Sequence, residues 1–231
     1  MERKFVPAAD FCQRIENLGQ SLGYNSHDQV QQPAHVSKFR DIYYDWNDHL
    51  SRSGIWIRHR ITGPMGTWSS ISDRWEAKLR LGGDYVNSEV VEISGKDTIC
   101  EMLSERLPNI TFGSLTVLAD LETVRSEWTL IPVHSVDSHN NGRFSVVLDD
   151  VVASEEQASG ERRTGRFQHR IGEVEIVRSL ATAADSATAQ ELGYMRARVE
   201  GFLQSNATLC MDAEPVGKLS AYLAWRNGHD A

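Results

Sequence analysis

The sequence predicts an α+β chain in which about eight β-strands form a small barrel with helices packed outside it. Two observations predict this. Stretches rich in β-branched and aromatic residues recur along the chain, mostly joined by hairpin-like turns. Several of them carry one apolar face and one face of mixed charge at period two. Helices covering the apolar faces from outside leave the charged faces to line an interior. The 231 residues, 40% of them hydrophobic, suffice for a buried core. No internal repeat or long linker interrupts the pattern, so residues 1–231 read as one domain.

The elements follow in order. Residues 1–6 read as a charged strand, with Glu2 and Lys4 on one face and Arg3 and Phe5 on the other. Phe11, Ile15, Leu18 and Leu22 recur at helical spacing and predict a helix over 10–22. Residues 25–37 are polar, contain Pro33 and read as a loop. A strand is expected over 38–46, then a turn at Arg52-Ser53-Gly54 into another over 55–61. In the latter, Trp56, Arg58 and Arg60 share one face, and Ile55, Ile57, His59 and Ile61 share the other. His59 therefore reads as structural. After a loop over 63–73, residues 74–81 are strand-like, with Glu76, Lys78 and Arg80 on a common face. Residues 85–93 form a strand of less clear period. Residues 96–107 form a helix burying Ile99, Met102, Leu103 and Leu107 and stopped by Pro108.

A long strand follows over 116–131, with Thr123, Arg125, Glu127 and Thr129 on one side and Val124, Trp128 and Leu130 on the other, together with Ser126. Asn141-Gly142 is a hairpin signal. The chain returns over 143–152, where Ser145, Val147, Asp149 and Val151 alternate with Phe144, Val146, Leu148 and Asp150. A charged loop over 153–165 leads to a strand over 171–177. There Glu173 and Glu175 point to one face, opposite Gly172, Val174 and Ile176. Two helices, over 186–205 and 215–225, finish the chain. Lys218 falls in the first turn of the second, where a cation opposes the helix dipole.

Composition excludes several classes. A formal net charge of −8 argues against a general nucleic-acid binder. The longest apolar runs are far short of a membrane span, and the charged N-terminus lacks a secretory core segment. Cys12, Cys100 and Cys210 are widely separated, so no disulfide framework is expected and a reducing, cytoplasmic setting is. The sequence holds no HExxH, zinc-type His/Cys spacing, P-loop, GxSxG or GxGxxG. An interior carrying arginines, lysines and carboxylates implies a highly charged ligand. Both signs together imply an anion with a metal cation, for which a polyphosphate with Mg²⁺ is the natural pair.

Seven stretches in chain order carry a resemblance. They are Glu2-Arg3-Lys4-Phe5, Phe39-Arg40-Asp41-Ile42-Tyr43-Tyr44-Asp45, Trp56-Ile57-Arg58-His59-Arg60, Trp75-Glu76-Ala77-Lys78, Val124-Arg125-Ser126-Glu127-Trp128, Gly172-Glu173-Val174-Glu175, and Lys218-Leu219-Ser220-Ala221-Tyr222-Leu223. Together the chain resembles the CYTH group of triphosphate tunnel enzymes, and within it the members that hydrolyse thiamine triphosphate. The resemblance implies a closed eight-stranded antiparallel tunnel. It implies that Lys4, Arg58, Arg60, Lys78, Arg125 and Lys218 grip a triphosphate, with Lys78 and Lys218 catalytic. It implies that Trp56 stacks on the thiamine rings and that Glu2, Asp149, Glu173 and Glu175 hold Mg²⁺. The implied reaction is metal-assisted attack of water on the terminal phosphorus. The expected partner is this small molecule alone, for a monomer with no nucleic-acid or membrane partner.

The chain departs from the family pattern twice. The first glutamate of the opening motif has no counterpart in this sequence, and Val147 stands where the first of two inward aspartates is expected. Both departures thin the metal side, leaving Glu173 and Glu175 to carry most of it, helped by Glu2 and Asp149. A non-catalytic polyphosphate-binding protein and a triphosphatase for inorganic triphosphate or nucleotides are the competing expectations.

Overall fold

The period-two stretches close on themselves as a barrel. The computed structural model describes residues 1–20, 28–30, 35–63, 72–132, 143–153, 166–178 and 189–228. Its strands are β1 (Glu2–Phe5), β2 (Asp28–Val30), β3 (His35–Asp45), β4 (Ile55–Thr62), β5 (Ser72–Gly83), β6 (Asn87–Ser94), β7 (Thr116–Pro132), β8 (Arg143–Ala153) and β9 (Phe167–Val177). The order β7-β3-β4-β5-β6-β1-β9-β8 returns to β7 through a β7–β8 pairing, which closes eight strands. Every neighbouring pair is antiparallel. The short β2 adds to β7 through Asp28↔Pro132 and Val30↔Leu130. It is a ninth strand inside a stretch that reads as loop from its polarity. The hairpin signal at Asn141-Gly142, all of the loop over 153–165 but Ala153, most of the loop over 63–73 and Leu22 lie outside the described residues.

Among the described residues five α-helices accompany the barrel: α1 (Phe11–Gln20), α2 (His49–Arg52), α3 (Lys96–Arg106), α4 (Ala189–Ser205) and α5 (Lys218–Arg226). Four of them cover outer faces. Phe11 and Ile15 of α1 and Met195, Val199 and Phe202 of α4 pack on Phe5, Trp128, Phe144, Val146, Val174 and Ile176. Leu50 of α2 and Ile99, Met102 and Leu103 of α3 pack on Ile55, Ile57, Ala77 and Leu79. Alternation fixes which side chains meet these helices, because a slip of one residue would exchange the apolar and charged faces.

The fifth helix is placed differently from the others. Ala221 and Tyr222 of α5 pack with Tyr43, Leu121, Val151 and Phe167. These residues lie on the inward face, in step with Asp41, Thr123, Asp149 and Glu173. The lumen therefore turns apolar toward one end, and α5 plugs that end. His169 Nε2 lies 2.8 Å from the Val216 carbonyl oxygen, tying the approach to α5 onto β9. Gly172 secures a second junction. A Cβ at Gly172 would lie 2.2 Å from the Phe5 ring, so only glycine lets Phe5 lie across β9 opposite it. Among the described residues no helix is long and apolar enough to cross a membrane.

Candidate active site in the tunnel

The inward faces bring most of the predicted site residues to one cavity. The cavity is lined among others by Glu2, Lys4, Trp56, Arg58, Lys78, Arg125, Glu173 and Lys218. Lys218 is the first residue of α5, so plugging the barrel end also delivers its ammonium to the lumen. The unfavourable helix-dipole position is offset by Asp41 and Asp149, each 3.5 Å from its Nζ.

Three carboxylates hold the basic wall in place. Asp41 is fully buried on β3. It accepts hydrogen bonds from Arg60 Nε and Nη2, both at 2.7 Å, and lies 3.6 Å from Arg58. Burial acts to raise its carboxyl, but Arg58 and Arg60 outweigh it and hold the group well below the usual carboxylate range. Arg58 also donates to Glu76 at 2.7 Å and 2.6 Å. On the opposite wall Asp149 accepts two 2.7 Å bonds from Arg125. Against its burial, Arg125 and Lys218 hold its carboxyl at about 2.

The acidic corner is built by register. β1 and β9 pair Glu2 with Glu175 and Lys4 with Glu173. Glu2, Glu173 and Glu175 offer oxygens that all lie within 4.8 Å of one another. Glu2 accepts from Lys4 at 2.6 Å and from Lys78 at 2.9 Å, and Lys78 also reaches Glu92 at 2.9 Å. Burial would raise the Glu2 carboxyl, but Lys78 and Lys4 draw it below its ordinary value. Glu175 moves the other way. Burial pushes it up, and Glu173 adds to this against the pull of Arg125. Crowded carboxylates of this kind favour a bound cation, since each resists the charge of its neighbours.

Two residues take places other than those expected from the sequence. Asp149 does not join the acidic corner, because both its oxygens are taken by Arg125. Arg60 is buried behind the lining residues, bound to Asp41 with its guanidinium 3.9 Å above the Phe39 ring. Trp56 lines the mouth, edge-to-face with Tyr85 at 6.2 Å between ring centroids. His59 stacks on Trp75 at 4.7 Å on the outer face, as its position among isoleucines predicts. Asp41, Glu92 and Tyr85 carry no role in the sequence reading. Asp41 was detectable from its alternation with Phe39 and Tyr43. Three inward atoms, Thr123 Oγ1, Ser145 Oγ and Lys218 Nζ, are buried with no hydrogen-bond partner among the described residues.

Fold and lumen together define a closed eight-stranded tunnel with a charged interior. No protein-family model matches the sequence. Among solved structures the chain is similar to a Hippeastrum protein, described as an adenylyl cyclase candidate with a dominant triphosphatase activity. Identity is 14%, covering 99% of this chain and 95% of that one, with a TM-score of 0.55. A protein of Pyrococcus horikoshii aligns at 14% identity over 97% of this chain and 98% of that one, with a TM-score of 0.52. At these identities the likeness is one of fold.

Proposed function

We propose that the tunnel binds a triphosphate and hydrolyses its terminal phosphate, with thiamine triphosphate as the substrate, yielding thiamine diphosphate and phosphate. The observation that carries this is the convergence of Lys4, Arg58, Lys78, Arg125 and Lys218 on one cavity that also holds a three-carboxylate corner. The fold shared with the Hippeastrum protein supports the reaction type.

The acidic corner suits Mg²⁺, a hard cation that takes carboxylate oxygens together with phosphate oxygens. Glu2, Glu173 and Glu175 would hold it. When bound, it would polarise a phosphoryl oxygen and neutralise charge on the transferring group. The chain's own residues supply the rest. Arg58 and Arg125 present guanidinium forks that match phosphate oxygens, and Lys4, Lys78 and Lys218 add point charges around them. Burial strengthens these contacts by excluding water. Among the described residues Lys218 Nζ makes no hydrogen bond, only 3.5 Å ion pairs to Asp41 and Asp149, so a phosphate oxygen can bond it without displacing a hydrogen-bond partner. Trp56, which lines the cavity, would take a cationic thiazolium against its ring.

A second reading is triphosphate binding without turnover. It is favoured by the fully buried Val147 on the inward face and by the commitment of Asp149 to Arg125. Phosphate release from thiamine triphosphate, inorganic triphosphate and nucleoside triphosphates, with Mg²⁺ and with chelator, separates the two. Mg²⁺-dependent release fastest on thiamine triphosphate supports hydrolysis. Binding with no release on any substrate supports the second reading.

A further inference from the structure

From the cross-strand register we infer that Ser145 is a neutral oxygen ligand of the cation site. This rests on the cation reading given above. The β1–β9 pairing sets Glu2 opposite Glu175, and the β9–β8 pairing sets Ser145 opposite the same Glu175. Directly paired residues point to the same face of a sheet with Cβ atoms about 4.5–5.5 Å apart. Glu2, Glu175 and Ser145 therefore form one inward row, and Thr129 of β7 continues it. The adjacent row runs Lys4, Glu173, Val147, where the valine offers nothing to a cation.

Ser145 itself is fully buried, and its Oγ has no hydrogen-bond partner among the described residues. A buried hydroxyl without a partner is costly, and one facing an acidic row is oriented toward what that row attracts. The nearest acidic member of that row, Glu175, already stands beside Glu2 and Glu173, with oxygens of all three within 4.8 Å of one another. A neutral donor completes a coordination sphere there without adding to the repulsion. A hydroxyl oxygen is hard, as Mg²⁺ and Mn²⁺ prefer.

The test uses Mn²⁺ alone, titrated into the full chain without triphosphate and followed by electron paramagnetic resonance. Ser145→Ala is expected to weaken Mn²⁺ binding about tenfold while leaving Tm in chelator unlowered, because the hydroxyl makes no hydrogen bond among the described residues. Ser145→Cys replaces a hard donor by a soft one. It is expected to shift the Cd²⁺-over-Mn²⁺ preference at least about tenfold toward Cd²⁺ relative to the unsubstituted chain. The cysteines at 12, 100 and 210 are common to both chains, so the difference reports position 145. If Glu173→Gln abolishes Mn²⁺ binding while Ser145→Ala and Ser145→Cys leave affinity and preference unchanged, the inference on Ser145 fails and the cation site stands. If the unsubstituted chain binds no Mn²⁺, the cation site and this inference fail together. A lowered Tm in Ser145→Ala with unchanged Mn²⁺ affinity marks the hydroxyl as structural and also overturns it.

Discussion

Replacing Asp41 by Asn removes one negative charge from among three cations while nearly preserving shape. The carboxylate it removes accepts two 2.7 Å bonds from Arg60 and lies 3.6 Å from Arg58 and 3.5 Å from Lys218. Because Asp41 is fully buried, solvent does little to screen these contacts. Removing one partner of a buried ion pair costs about 3–5 kcal/mol, since the other charge stays behind uncompensated. For a chain of this size each kcal/mol moves Tm by about 2–4 °C, so a fall of roughly 6–20 °C is expected. Urea unfolding at pH 7, extrapolated to water, gives the free energy directly.

The pH dependence has a definite sign. The folded Asp41 carboxyl is held below its unfolded value, so its contribution is complete above about pH 4–5 and is lost as pH falls through the folded value. The gap between the two chains should stay constant from pH 7 to about pH 5 and narrow only in stronger acid. Tripolyphosphate should stabilise Asp41→Asn more than the unsubstituted chain, because it supplies charge to the same cations. An Asp41→Asn chain within about 0.5 kcal/mol of the unsubstituted one at pH 7 would refute the role of Asp41 in holding the basic wall.

Three other outcomes are expected. Gly172→Ala forces a Cβ into the Phe5 ring and should cost about 1–3 kcal/mol in thermal or urea unfolding; no loss would mean that β1 shifts freely over β9. Trp56→Ala should lower kcat/KM about tenfold on thiamine triphosphate and leave inorganic triphosphate nearly unaffected; equal losses on both would mark Trp56 as structural. Because Lys4 and Lys78 occupy Glu2 in the free protein, a non-hydrolysable triphosphate that draws them away should tighten Mn²⁺ binding about fivefold or more by calorimetry, with the reciprocal effect on the triphosphate. Independent binding of the two would contradict this.

The inward faces were legible in the sequence because period-two alternation is strong wherever one face is buried. Trp56 and Arg58, Glu76 and Lys78, and Glu173 and Glu175 all fall on the faces read for them. Closure was not legible from local pattern. β1 sits between β6 and β9, and β7 between β3 and β8, pairings that depend on residues far apart in the chain. β6 showed an unclear period because its inward residues include Ser88 and Val90, one small and polar, one apolar. A register shift between Arg80 and Gly82 of β5 further disturbs its pairing. β2 is three residues in a polar stretch and has no alternation to read. Charge partners were the least legible. The resemblance implies that Asp149 is a metal ligand, and only the geometry of Arg125 across the β7–β8 pair shows where its oxygens go.

The most direct test of the tunnel as a triphosphatase is phosphate release from thiamine triphosphate by the purified chain, compared with Glu173→Gln and Glu175→Gln. The account predicts many turnovers with Mg²⁺, none with chelator, and loss of metal-dependent release in both variants while triphosphate binding remains. Unchanged release in both variants, or no release by the unsubstituted chain on any triphosphate, would contradict it.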